Sequence, residues 1–261
     1  MLQKNWLELI KPNKMEINVS ENNGRYGVLV AEPLERGFGL TLGNSIRRIL
    51  LSSLQGAAIT SIKVKGVVHE FSTIPGVKED LTDIVLNLKT IGIKVHSPGA
   101  RKMYINVKGP GEIRASNFET DSETEIMDPD QVIMTLDSKA NVELEANVNT
   151  GKGYVSAEVA EDENKIIGEI KLDAMFSPVV RASYKVENSR VGQVTDYDKL
   201  IFEVETNGVI SPDDAIALAA RIIQDQLQPF INFDEPEVQQ DQPSSEKLSF
   251  NSNLLKKVEE L

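Results

Sequence analysis

The chain of 261 residues is 40% hydrophobic, with no cysteine and two histidines, so it can bury a substantial core but can build neither a disulfide framework nor a thiolate metal site. Its formal charge of −12 opposes unaided binding to nucleic-acid phosphates, which draws on clustered Lys and Arg, and counts against a DNA-binding module. No stretch approaches the ~20 apolar residues of a membrane helix, and the N-terminal stretch lacks a signal-peptide core, so a cytoplasmic protein without a membrane partner is expected.

Lys14 to Leu34 reads as extended, with "YGVLVAEPL" the best strand and Pro33 closing it. In "LERGFGLTLGNSIRRILLSS", Leu42, Ile46, Ile49, Leu50 and Leu54 recur at helical spacing, predicting a helix over Thr41 to Leu54 with Gly56 as its left-handed terminus. Gly37, Gly39 and Gly43 spell G-x-G-x-x-x-G, one residue too long for the dinucleotide fingerprint, and no G-K-[ST] follows. Two readings stand at this point: a nucleotide-binding loop of a small enzyme, or glycines serving a tight turn and close chain approach. Arg47 and Arg48 are neighbours ~100° apart on the helix, so one can reach solvent while the other lies near the packed face and needs a carboxylate or carbonyl.

From Gly56 to about Pro178 the text is β-rich: "AITSIKVKGVV", "RKMYINVKG", "QVIMTLD", "ANVELEANVNT" and "GYVSAEVAE" alternate or are β-branched, between turn formers. Lys63 and Lys65 read as a solvated strand edge. Only "GVKEDLTDIVLNLKTIGI" is helical, through Leu81, Ile84, Val85 and Leu88, with Glu79 and Asp80 in the first turn. Two further strands, "VVRASYKVEN" and "DKLIFEVETNG", end in an Asn207-Gly208 turn. A last helix, Pro212 to Phe230, has Ser211 as N-cap and Asp214 completing a capping box. Its apolar residues form two stripes, Ile216, Ala220, Ile223, Leu227 and Ala215, Leu218, Ile222, so it needs two packing partners. Phe233 to about Ser249 is polar, acidic and proline-bearing, the composition of a flexible linker.

Chemistry-bearing patterns are weak. The "DPD" of Asp128 and Asp130 and the "DYD" of Asp196 and Asp198 read as turns. His69 has no second histidine at zinc-binding spacing, His96 stands beside a turn, and no G-x-S-x-G elbow occurs. The residues therefore describe a non-enzymatic α+β scaffold, with no catalytic, cofactor or metal residue assigned.

"EPLERGFGLTLGNSIRRILLSS" (Glu32 to Ser53) closely resembles the amino-terminal domain of the bacterial RNA polymerase α subunit family. The resemblance continues through "GVVHEFSTIPGVKEDLTDIVLNLK" (Gly66 to Lys89), "GKGYV" (Gly151 to Val155), Asp173 to Gly208, and "SPDDAIALAA" (Ser211 to Ala220). It implies a discontinuous α+β dimerisation domain, residues 1–55 and 179–235, closed by antiparallel pairing of "YGVLVAEPL" with "DKLIFEVETNG". It further implies an inserted β-rich domain, 56–178, and an acidic linker with a truncated start of a C-terminal domain, 236–261. A homodimer is expected through Leu42, Ile46, Ile49 and Leu50 on the first helix and Ile216, Ala219, Ala220, Ile223 and Leu227 on the last. Gly43, Asn44, Arg48, Leu51 and Lys89 are the implied contacts to the β subunit, with β′ joining after it. Such a subunit belongs to a nucleotidyltransferase complex but carries no catalytic residue, since the family's NADFDGD aspartates lie on β′ and are absent here. Promoter DNA would be met only through the C-terminal domain that this sequence does not reach.

Overall fold

The computed structural model describes residues 9–20, 24–97, 99–157 and 168–231; the expected linker and tail, 236–261, lie outside them. The described residues up to Gln226 form one compact unit.

The chain opens with β1 (Lys14–Val19) and β2 (Tyr26–Leu34), followed by α1 (Phe38–Ser52) and the long β3 (Gln55–Val64). Helix α2 (Leu81–Lys89) precedes β4 (Ile93–Val95), β5 (Arg101–Lys108), β6 (Gly111–Arg114), β7 (Thr124–Ile126), β8 (Val132–Leu136) and β9 (Asn141–Lys152). Short strands β10 (Tyr154–Val155), β11 (Glu169–Lys171) and β12 (Ala174–Met175) lead to the long hairpin β13 (Val179–Val191) and β14 (Val194–Thr206). Helix α3 (Pro212–Leu227) runs into a 3-10 turn, Gln228–Phe230.

The first sheet has the order β1-β2-β14-β13 and the second β5-β9-β3-β4-β7, with β11 also paired to β3. The expected antiparallel pairing of "YGVLVAEPL" with "DKLIFEVETNG" is present, Leu29 opposite Phe202 and Gly27 opposite Val204. Alternation explains each strand's orientation: Leu29 and Ala31 of β2 and Leu200, Phe202 and Val204 of β14 point into one core. That core gathers residues Leu29 to Leu54 and Val179 to Ala219 under α1 and the first half of α3. A second, larger core runs from Ile59 to Leu172 and packs α2 onto the second sheet through Leu81, Ile84 and Leu88.

Several local expectations are corrected. Helix α1 begins at Phe38, three residues earlier than its apolar period suggests, because Gly37 caps it at φ 86. Gly56 is no helix terminus but a residue of β3, where a β-carbon would meet the Phe176 carbonyl oxygen at 2.0 Å. Glycine there serves close backbone approach. The last helix is α-helical only to Leu227. Asp80 is the N-cap of α2, accepting from the Asp83 amide, whereas the Glu79 carboxylate reaches β8, accepting from the Thr135 amide at 2.7 Å and hydroxyl at 3.0 Å. Lys63 lies on a central strand rather than an edge, and Lys65, in the turn just past that strand, pairs with Glu143 of β9 at 2.7 Å.

Candidate assembly surface on the two helices of the first sheet

Helix α1 approaches its sheet closely because two of its residues have no side chain. A β-carbon on Gly43 would stand 2.6 Å from the Tyr184 ring, and one on Gly39 would stand 2.8 Å from Val186. The N-terminus of α1 is held by a carboxylate from the far end of the chain: Asp198 Oδ2 accepts from the amides of Gly37 at 2.8 Å and Gly39 at 3.0 Å. Exposed helix-terminal amides attract anions. Here the chain's own carboxylate fills that place, and neighbouring Arg36 pairs with Asp196 at 3.1 Å. The glycine stretch is thus a capped helix entry, and both aspartates of "DYD" are committed to holding it.

The two arginines divide as helix geometry requires. Arg47 Nε donates to the carbonyl of Ala182 on β13 at 3.1 Å, tying the helix to the sheet. Both residues are exposed overall, but the Arg48 guanidinium finds no partner among the described residues. Sequence alone could not choose between them, because the choice depends on which side of α1 faces the sheet.

The other expected contact residues on these helices fall into three groups. Leu50, Ile216 and Ala219 are buried in the chain's own core, and Gly43 is buried against Tyr184, so none of these four presents its surface to a partner in this conformation. Leu42, Ile46, Ile49 and Leu51 pack along the margin of the same core, and Ile223 is half-buried. Asn44, Ala220 and Leu227 are exposed. Phe38 and Leu40 of α1 and Leu218 of α3, absent from the expected set, are also exposed, Leu40 at 61%. The second apolar stripe of the last helix signalled Leu218, whereas Phe38 and Leu40 lie ahead of the helix expected from Thr41, so no helical period pointed to them.

Lys89 closes α2 and pairs with Asp173 at 3.4 Å. Asp173 also accepts from the Ala157 amide at 2.9 Å. That amide first, and the Lys89 ammonium after it, hold the Asp173 carboxyl below the usual carboxylate range.

Where the two cores adjoin, Arg25 pairs with Asp128 at 2.5 Å, so one aspartate of "DPD" joins the first sheet to the second. Nearby, an open cleft of about 810 Å³ is bordered by Ile93, His96, Pro178, Ile210, Asp214 and Leu218. His96 lies 3.7 Å from Glu125, and His69 meets the hydroxyl of Ser72 at 3.0 Å. Among the described residues no three His, Asp or Glu side chains gather into a group that could hold a metal ion. No helix there is long and apolar enough to cross a membrane.

Most of the ion pairs thus join different strands or elements, and α1 and α3 also expose apolar side chains, among them Phe38, Leu40, Leu218 and Leu227. These are properties of a surface suited to contact with other chains. Residues 62–177 match the family of the RNA polymerase Rpb3/RpoA insert domain, a span that follows the larger core from β3 to the residue before Pro178. The match covers less than half of the chain and marks these residues as similar to that insert domain.

Proposed function

We propose that this chain is the α subunit of a bacterial RNA polymerase, a non-catalytic cytoplasmic scaffold that homodimerises through α1 and α3 and then recruits β and β′. One observation carries this reading: both helices that cover the first sheet keep apolar side chains in solvent, and beside them Arg48 has no partner among the described residues. Apolar surface of this kind is stabilised by leaving water, and an exposed arginine can supply the rigid, multi-donor contact common at interfaces. The separate cores support a discontinuous dimerisation domain, 1–55 and 179–235, with an insertion at 56–178. Within this reading Leu42, Ile46, Ile49, Ala220, Ile223 and Leu227 join Phe38, Leu40 and Leu218 at the dimer contact. Leu50, Ile216 and Ala219 act from beneath, by fixing the helices on the sheet. Asn44, Arg48 and Leu51 serve the β contact directly, Gly43 sets the height of the helix that bears them, and Lys89 contributes as an ion pair with Asp173.

Capture of β by purified chain tests the assignment of Arg48. Arg48→Ala should leave the dimer intact and weaken β capture by ~2–5 kcal/mol, the range for removing one member of a desolvated charged contact. Undiminished capture would remove Arg48 from the interface. The nucleotide-loop alternative gains no support, because Asp198 already occupies the amides such a loop would offer to phosphate.

A further inference from the structure

The short ribbon of β10 and β12 holds an apolar pair that neither core uses. In "DAMFSP" (Asp173 to Pro178), alternation buries Ala174 and Phe176 and turns Met175 between them outward. Phe176 pegs the ribbon in place. Its amide donates to the Gly153 carbonyl at 2.8 Å, and its ring lies so close to Gly151 that a β-carbon there would stand 2.7 Å from it. Met175 is thereby set directly opposite Tyr154, and both remain largely in water, Met175 at 62% and Tyr154 at 58%. Side chains opposite one another in an antiparallel pair share a face, so the two form one small apolar patch.

What stands at either end of the patch gives it a role. On one side, Ser52 Oγ donates to the carbonyl of Arg48 at 2.8 Å, one turn back along the exposed face of α1. The carbonyl oxygen of Ser52 lies 3.4 Å from where a β-carbon on Gly153 would stand, next to Tyr154. On the other side, the Tyr154 side chain hydrogen-bonds the Asp173 carboxylate, which pairs with Lys89 at 3.4 Å. Arg48 and Lys89, on helices of different cores, are thus the two ends of one continuous surface. We infer that the partner receiving Arg48 also covers Tyr154 and Met175, laying an apolar side chain on the pair and directing a carboxylate to Arg48. This rests on the reading of the chain as a scaffold for the β subunit, and it supplies the apolar centre of that contact. The partner's chemistry follows from the charges: Asp173 already neutralises Lys89, whereas Arg48 has no partner among the described residues, so only the Arg48 end calls for an acid. Tyr, Met and Arg are the side chains enriched where binding energy concentrates. Because Phe176 already fixes the ribbon, little ordering is left to be done on binding.

Met175→Asp tests this against purified β subunit. The variant should keep the light-scattering mass of the unaltered chain and bind β about tenfold more weakly or worse, because an acid then replaces an apolar contact at the centre. Arg48→Ala, measured alongside, separates the inference from the reading beneath it. Weakened capture by Arg48→Ala with none lost in Met175→Asp would leave the scaffold reading standing and overturn the apolar centre. Failure of the unaltered chain to capture β at all would overturn both. A mass lowered by Met175→Asp would assign the patch to a second copy of this chain and overturn the inference. Should far-UV circular dichroism show the variant unfolded, the unaltered chain decides. Hydrogen peroxide converts an exposed methionine to its sulfoxide, and peptide mass spectrometry should find Met175 oxidised severalfold more slowly once β is bound. Equal oxidation of Met175 with and without β would overturn the inference.

Discussion

At the scale of single residues, the opposite fates of Arg47 and Arg48 connect helix geometry to assembly. Arg47 is tied to Ala182, so Arg47→Ala should lower stability by about 1 kcal/mol, as loss of one hydrogen bond does, and leave partner capture per folded chain unchanged. Arg48→Ala should show the reverse pattern, and equal behaviour of the two variants would contradict the division. Asp198 closes the entry of α1 from 159 residues away in sequence. Denaturant titration of Asp198→Ala should show a loss of about 1–2 kcal/mol, typical of a removed helix cap. Gly43→Ala should destabilise by about 1–3 kcal/mol by the same measurement, because the added methyl group meets the Tyr184 ring and forces the helix outward. A neutral Gly43→Ala would mean that the helix and the ring part freely.

At the scale of elements, α1 and α3 were legible as doubly apolar helices, but their ends were not. Gly37 and Gly39 read as loop ahead of the helix because glycine lowers helix propensity; what makes the segment helical from Phe38 is contact with Asp198 and Val186, both remote in sequence. Gly56 was misread for a related reason, since a helix end and a close backbone contact both favour glycine, and only the distant Phe176 decides between them. Leu40, in the first turn of α1, offers a probe that spares the fold: Leu40→Asp places an acid where the helix dipole favours one. On the proposed reading it raises the dimer dissociation constant by about tenfold or more, which sedimentation at several concentrations would register. The junction of α2 with β8 is pH-dependent. Burial alone would raise the Glu79 carboxyl, but the Thr135 amide and hydroxyl outweigh it and hold the group below the ordinary range. The folded state therefore binds fewer protons than the unfolded chain in acid. This contribution is complete above the ordinary carboxylate range and fades as pH falls through the lowered value. Glu79→Gln should accordingly be less stable than the parent near neutrality, with the two stability curves converging as the solution is acidified.

At the scale of the molecule, the composition switches near Gly56 and Pro178 coincide with the passage from one core to the other and back. Local patterns showed where the β-rich stretch begins and ends; they could not show that β2 pairs with β14, a contact spanning about two-thirds of the chain that depends on long-range closure. Nor could they show that Arg25 and Asp128 join the two sheets, because a "DPD" turn carries no information about its partner. The surface that supports the assembly reading is likewise a product of the whole fold, since burial of Leu50 and Ala219 is what leaves Leu40, Arg48 and Leu218 outside. The most direct test of that reading is the mass of the purified chain by light scattering across the micromolar range. A homodimer gives twice the 28.8 kDa of the single chain, whereas a mass of one chain at every concentration, unchanged when β is added, would contradict the account.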